Sequence, residues 1–227
     1  MKIQYHGHAC FSVFLKDYHL IIDPFLNHNP KSILTSNDIE PDYVLVSHGH
    51  SDHFGDTLEL GAKGATIIST AEIAEYCELK QMPSVHAMQI GGGYRFPFGY
   101  LKMTPATHGS AISENNTLLA AGCPGGFLLK TEDFVLYYAG DTGLTMEMEM
   151  LSRFEQIDVA ILPIGGNFTM DPTDALCALR ILNPRFVIPM HYNTFPLIEQ
   201  DPYHFAKEAE RMGIHPIVLS IGESCEL

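Results

Sequence analysis

The stretch Tyr43-Val44-Leu45-Val46-Ser47-His48-Gly49-His50-Ser51-Asp52-His53 carries an apolar run directly into three imidazoles and a carboxylate. Tyr43–Ser47 is rich in β-branched and aromatic residues and reads as a strand buried on both faces. The six residues after it resist explanation as packing, because His and Asp are poor core residues. A loop that alternates its side chains would offer His48 and His50 to one ion, and Asp52 and His53 to a second. Nitrogen and carboxylate donors of this kind suit zinc, with manganese, iron or nickel also compatible. Taken alone, the hexapeptide has a competing reading as a polar surface loop or an adventitious metal site.

Three further apolar strands repeat the pattern. Met103–Thr107 runs into His108, Leu136–Gly140 into Asp141, and Ile188–Met190 into His191. Ligands of open α/β sheets gather beyond the carboxyl ends of strands, and rigid strands followed by loops hold a site within tolerance. The remaining strand candidates are Ile3–Tyr5, Cys10–Leu15, Leu20–Asp23, Ala65–Ser69, Leu101–Pro105, Phe127–Thr131, Phe134–Ala139, Val159–Pro163, Phe186–Met190 and Ile217–Ser220. Helical patterns cover Thr70–Lys80, Thr145–Phe154, Pro172–Leu182 and Pro202–Met212. Asp171 and Pro172 open the third with a cap and a first-turn proline, and Asn183-Pro184 closes it. In Thr145-Met-Glu-Met-Glu-Met-Leu the alternation suits a strand by period, whereas the residue types favour helix. A strand-rich start followed by strand–helix alternation predicts an α/β fold of two sheets flanked by helices.

Composition bounds the rest. The 227 residues show no repeats and no linker, so a single domain over 1–227 is expected. Thirteen Lys+Arg against 27 Asp+Glu give a net charge of −14, which repels phosphate backbones and argues against a nucleic-acid partner. Apolar runs are too short for a membrane span. Five scattered cysteines without CxxC spacing argue against a disulfide framework and point to the cytoplasm.

The order HxHxDH, a His 60 residues after its first His, an Asp 33 later and a His 50 after that resembles the metallo-β-lactamase superfamily across nearly the whole chain. The resemblance implies an αββα sandwich with the site on one edge and two divalent metal ions per chain. It makes His48, His50 and His108 ligands of the first ion, Asp52, His53 and His191 ligands of the second, and Asp141 the carboxylate bridging both. Asp23, closing Leu-Ile-Ile-Asp-Pro-Phe, would hold the HxHxDH loop from behind. Tyr-His-Gly-His-Ala-Cys-Phe near the start and Gly-Gly-Asn-Phe-Thr-Met-Asp-Pro later resemble a branch of metal-dependent hydrolases related to ascorbate-phosphate lactonase and N-acyl-phosphatidylethanolamine phospholipase D. The chemistry follows from the donors: two ions lower the pKa of a shared water from 15.7 towards about 7, giving a hydroxide that attacks an acyl or phosphoryl centre. Asp52 and Asp141 would reduce the site's net positive charge and orient the hydroxide.

The expected activity is therefore hydrolysis of a lactone, ester or phosphodiester of a small molecule. A nuclease of the same fold is one alternative, although no basic track is legible. A non-catalytic metal-bound sensor or interaction module is another. His8 stands just before a strand as a candidate proton donor to the leaving group, or as a structural His between strands. Tyr192 and Asn193 beside His191, and Gly166 and Asn167 in the turn Gly165–Asp171, are candidate substrate contacts; a plain helix-entry turn is the other reading of Gly165–Asp171. Gly109–Gly126 reads as a long loop, either a substrate rim or lid, or a mobile connection. The branch resemblance makes a homo-oligomer plausible.

Overall fold

A computed structural model describes all residues from Met1 to Leu227. Two seven-stranded sheets face one another. The first has the order β16-β1-β2-β3-β4-β5-β6, built from β1 (Lys2–Gly7), β2 (Cys10–Leu15), β3 (Tyr18–Ile22), β4 (Tyr43–Leu45), β5 (Thr66–Thr70), β6 (Val85–Met88) and the C-terminal β16 (Ser224–Glu226). The second runs β15-β14-β13-β12-β11-β8-β7, from β7 (Gly93–Phe96), β8 (Gly99–Pro105), β11 (Gly125–Lys130), β12 (Val135–Tyr138), β13 (Val159–Pro163), β14 (Phe186–Met190) and β15 (His215–Pro216). A separate hairpin joins β9 (Ala111–Glu114) to β10 (Thr117–Ala120). The helices are α1 (Ser51–Phe54), α2 (Thr57–Ala62), α3 (Ala71–Leu79), α4 (Glu147–Phe154), α5 (Pro172–Leu182) and α6 (Pro202–Arg211).

The period-2 alternation of strands explains the layering. In β13, Val159 and Ile161 join the core between the sheets, alongside Phe11, Leu101, Phe127 and Tyr138. Its intervening residues Ala160 and Leu162 turn outward and pack with Ala175 and Leu179 of α5 and Phe205 of α6. On the other side, Ile21, Val44 and Ile67 pack outward against Leu60 of α2 and Ile73 and Cys77 of α3. Strands buried on both faces are apolar throughout for this reason. The result is the helix–sheet–sheet–helix sandwich that the motif order implied.

Local chemistry sets several boundaries. Asp171 accepts the Asp174 amide N–H at 2.9 Å, Pro172 fills the first turn of α5, and Asn183 ends it in the left-handed conformation (φ 46°). The Met/Glu run is helical, and its apolar side is anchored by the buried Met148.

The structure departs from the sequence expectations at five places. Ile217–Ser220 is not a strand. β15 lies two residues earlier, and only Ile217 extends the ladder, donating to the Val187 carbonyl at 2.8 Å. β6, β7 and β16 add edge strands too short or too exposed to carry an apolar signal. Gly109–Gly126 is not an open loop, since it contains the β9–β10 hairpin. Thr57–Ala62 forms a helix that was not expected. The hexapeptide is likewise no uniform loop: His48–His50 is extended, whereas Ser51–Phe54 is a helical turn.

Candidate metal centre

Asp23, His48, His108, Asp141 and His191 all follow strand ends on one edge of the sandwich. In the extended part of the hexapeptide, His48 and His50 are two apart and share a side. The helical turn of α1 then presents Asp52 and His53 together. Gly49 sits where a side chain has no room: a Cβ there would lie 2.6 Å from the Ala121 Cβ and 3.0 Å from the Ile112 Cγ1. The β9–β10 region therefore clamps the His48–His50 segment through a glycine.

Two donor groups form. His48 Nε2 and His50 Nδ1 are 3.0 Å apart, and His108 Nε2 lies 3.3 Å from the same His50 Nδ1. The second group is Asp52, His53, His191 and His8. Asp141 Oδ2 lies between the groups, 3.5 Å from His108 Nε2, 3.2 Å from His53 Nε2 and 3.0 Å from His191 Nε2.

These distances do not add up to a self-satisfied hydrogen-bond network. One proton on His50 Nδ1 cannot serve both nitrogens facing it, and burial, followed by the neighbouring imidazoles, holds His48 well below the ordinary histidine range. His108 is lowered by burial too, so both imidazoles are neutral with free lone pairs. His53 Nε2 and Asp141 Oδ1 are buried without any hydrogen-bond partner. Converging lone pairs and buried polar atoms without hydrogen-bond partners fit divalent cations.

The electrostatics of the second group are strong. Burial opposes charge on Asp141, but His53 and His191 outweigh it and hold the carboxyl well below the usual range. Burial likewise opposes charge on His53, and Asp141 and Asp23 on either side overcome it and raise that imidazole.

Asp23 works from behind. Its Oδ2 accepts from His53 Nδ1 at 2.7 Å and from the Ser47 hydroxyl at 2.6 Å, and its Oδ1 accepts the Ser47 amide at 2.7 Å. The Tyr138 hydroxyl lies 2.7 Å from the same Oδ2. Ser47 Oγ is in turn 2.9 Å from His48 Nδ1. Asp23, His48 and His53 also cluster closely enough to suggest a third cation site. In this cluster His53 turns its Nδ1 to Asp23 and His48 turns its Nδ1 to Ser47, an arrangement that fits a carboxylate backing the imidazoles more than a further cation site.

His8 is buried, with Nε2 3.1 Å from Asp52 Oδ2 and Nδ1 2.9 Å from Thr194 Oγ1. A carboxylate only accepts, so His8 donates from Nε2, and the Thr194 hydroxyl donates to Nδ1. Thr194 was invisible to sequence reasoning, because nothing in Tyr192-Asn193-Thr194 announces a partner 186 residues away. His8, Asp23 and His191 all take left-handed backbone conformations (φ 60°, 47° and 56°), which costs each about 1 kcal/mol. Gly165 makes the turn at His191 possible: its missing side chain leaves room for the His191 carbonyl oxygen, 2.1 Å from where a Cβ would stand.

The candidate substrate contacts separate. Asn193 lies beside His8 in a cavity wall, its Oδ1 accepting the Gln200 amide at 2.8 Å. Gly166 donates to the Met170 carbonyl, and Asn167 is exposed in the same turn, at the entry to α5.

A family model described as the beta-lactamase superfamily domain matches residues 2–191. A UPF0173 metal-dependent hydrolase of Listeria welshimeri is 44% identical over 229 aligned positions, spanning 100% of both chains. The UPF0173 metal-dependent hydrolase YtkL of Bacillus subtilis is 45% identical over 230, again across 100% of both. Among solved structures, Igni18, a metallo hydrolase from the hyperthermophilic archaeon Ignicoccus hospitalis, matches with a TM-score of 0.88 at 37% identity, covering 100% of this chain and 98% of that one. The chain belongs to the metallo-β-lactamase superfamily, in its family of UPF0173 metal-dependent hydrolases.

Proposed function

We propose that the chain, one domain over residues 1–227, is a dinuclear hydrolase acting on a lactone, ester or phosphodiester of a small molecule. One observation carries this reading: a single oxygen, Asp141 Oδ2, lies within 3.5 Å of ring nitrogens from both donor groups. His48, His50 and His108 would hold one ion, Asp52, His53 and His191 the other, and Asp141 both. Two such ions, most simply zinc, would supply the Lewis acidity that brings water's pKa towards neutrality and polarises the scissile oxygen.

The protein's own groups do the rest. Asp141 is 3% exposed at its side chain, whereas Asp52 keeps 28% exposure and is the carboxylate more accessible to water. Asp52 therefore orients the attacking water and handles its proton at Oδ1, while His8 pins Oδ2. With both ring nitrogens engaged, His8 positions Asp52 and is not itself a free proton donor. Phe195, whose ring centroid is 5.6 Å from that of His8, lines the approach with an apolar wall.

Elemental mass spectrometry on protein purified without chelator or affinity-tag metal tests the assignment. The expected content is two atoms per chain, falling to one or fewer for Asp141→Ala with ester turnover reduced at least a thousandfold. One atom per chain in the unaltered protein, unchanged by added zinc or manganese, would overturn the dinuclear reading.

A further inference from the structure

His8 also helps wall a cavity of about 260 Å³, whose sides include Lys31, Tyr192, Asn193, Tyr203 and Ser220. Tyr5 and Leu219, both buried, form part of its floor.

Two features of this lining stand out chemically. No Asp or Glu takes part in it, although the chain has 27 of them, and Lys31 is its one permanent charge. Glu223 is close in sequence to Ser220 but accepts the Ser220 amide N–H at 2.8 Å and does not line the cavity. Tyr5, His8 and Thr194 have hydrogen-bond partners, whereas five other polar side chains of the lining are donors without one. The hydroxyls of Tyr192, Tyr203 and Ser220, the Asn193 Nδ2 and the Lys31 Nζ make no hydrogen bond within the protein. Asn193 turns its only acceptor away, onto the Gln200 amide, and so offers only its N–H groups. A half-enclosed space with five free donors, one cation and no carboxylate is complementary to negative oxygens.

We propose that this cavity binds the anionic group of a small organic molecule, a carboxylate, sulfonate or phosphate ester, through Lys31, Tyr192, Asn193, Tyr203 and Ser220. Thr194 belongs to the same lining and reaches His8, which reaches Asp52, so an occupant sits one hydrogen-bond chain from the candidate metal centre. The proposal stands on the lining alone and does not require the hydrolase reading. The anion is either the remote end of the substrate or a separate effector, and the chemistry recognised is the same.

Benzenesulfonate is the probe, because a sulfonate is a poor ligand for divalent metals and cannot easily report the metal centre instead. Titration into the metal-loaded protein, followed by amide chemical shifts, is expected to saturate with shifts centred on residues 192–194 and 218–221. Tyrosine emission gives a second readout, since the chain has ten Tyr and no Trp. Lys31→Met and Tyr192→Phe should each weaken binding at least tenfold, with metal content and thermal midpoint unchanged. The uncharged methyl phenyl sulfone should likewise bind at least tenfold more weakly than the sulfonate. Absence of saturable binding, or binding that both variants leave intact, overturns the proposal. So does binding that the variants do not affect but metal removal abolishes. Turnover of a neutral ester in the presence of benzenesulfonate then distinguishes the sources. A competitive rise in KM assigns the cavity to the substrate's own anionic end, and a change in kcat at constant KM assigns it to an effector.

Discussion

The two sheets repeat one plan and deliver their donors differently. In each, antiparallel strands lead into parallel ones: β1–β3 into β4–β6, and β7, β8, β11 and β12 into β13–β15. The first sheet sends four donors from one place, His48 to His53 after β4, with Asp23 behind them from β3. The second sends one donor at a time: His108 after β8, Asp141 after β12 and His191 after β14. The first set is held by local geometry, an extended dipeptide step and one helical turn. The second depends on strand register and on close backbone approaches such as Gly165 against His191. Half of the centre is a local motif, and half is a consequence of the whole sandwich.

The largest effect should come from the residue that joins these halves. Asp23 leaves the first sheet, yet its Oδ2 lies 2.7 Å from the Tyr138 hydroxyl of the second. The carboxylate is fully buried. Asp23→Asn removes a buried charge from the opposite side of His53 and should destabilise the fold by about 3 kcal/mol. Metal affinity should drop roughly 10- to 100-fold at the ion that His53 would hold. Chemical denaturation and a metal competition titration measure both effects. Undiminished affinity would mean that the first sheet orients its ligands without help from behind.

A second contrast lies on the outer faces. The second sheet covers its own with Leu128, Ala160, Leu162 and Val187, all apolar. The first carries His6 and Ser12 there, 2.8 Å apart, with His19 Nε2 also 2.8 Å from Ser12 Oγ and Asp42 accepting the His19 amide. Burial, then the nearby His19, pushes His6 down to about 4. The unfolded chain takes up that proton near pH 6.5, whereas the folded protein resists until about 4. The contribution of His6 to stability should therefore fall as pH drops through this window, by about 3 kcal/mol, and level off below it. His6→Gln, which keeps a polar partner for Ser12, should flatten the slope. Hydrogen exchange should show the first sheet loosening before the second; simultaneous loosening would remove the contrast.

This asymmetry also explains what was legible in the sequence. The hexapeptide was readable because four donors within six residues have no packing explanation. The dispersed donors were readable only because each follows an apolar strand, a signal that becomes strong by repetition. Gly49 and Gly165 gave no such signal, since what they admit, Ile112 with Ala121 and the His191 carbonyl, comes from distant parts of the chain. Thr194 and Tyr138 were hidden for the same reason. Their roles are hydrogen bonds across more than 100 residues, and sequence periodicity reports which face is buried, not what a hydroxyl meets there. The Ile217–Ser220 strand failed because apolar content at a sheet edge signals burial without guaranteeing a ladder partner.

The smallest predicted effect isolates one ion within the local motif. Asp23 orients His53 directly but reaches His48 only through Ser47, whose hydroxyl donates to the carboxylate and accepts from His48 Nδ1. Ser47→Ala removes that relay while leaving the Ser47 amide bond to Asp23 Oδ1 and the His53 bond intact. The stability cost should be about 1 kcal/mol, that of one buried hydrogen bond. Affinity should weaken about tenfold only for the ion that His48, His50 and His108 would hold, because His53 keeps its backing. A two-step metal titration reads this as one weakened and one unchanged step. Equal weakening of both steps would mean that the two proposed sites are coupled through Asp141 strongly enough to erase the distinction between the two halves. The Asp23→Asn result would then have to be reassigned to the bridge.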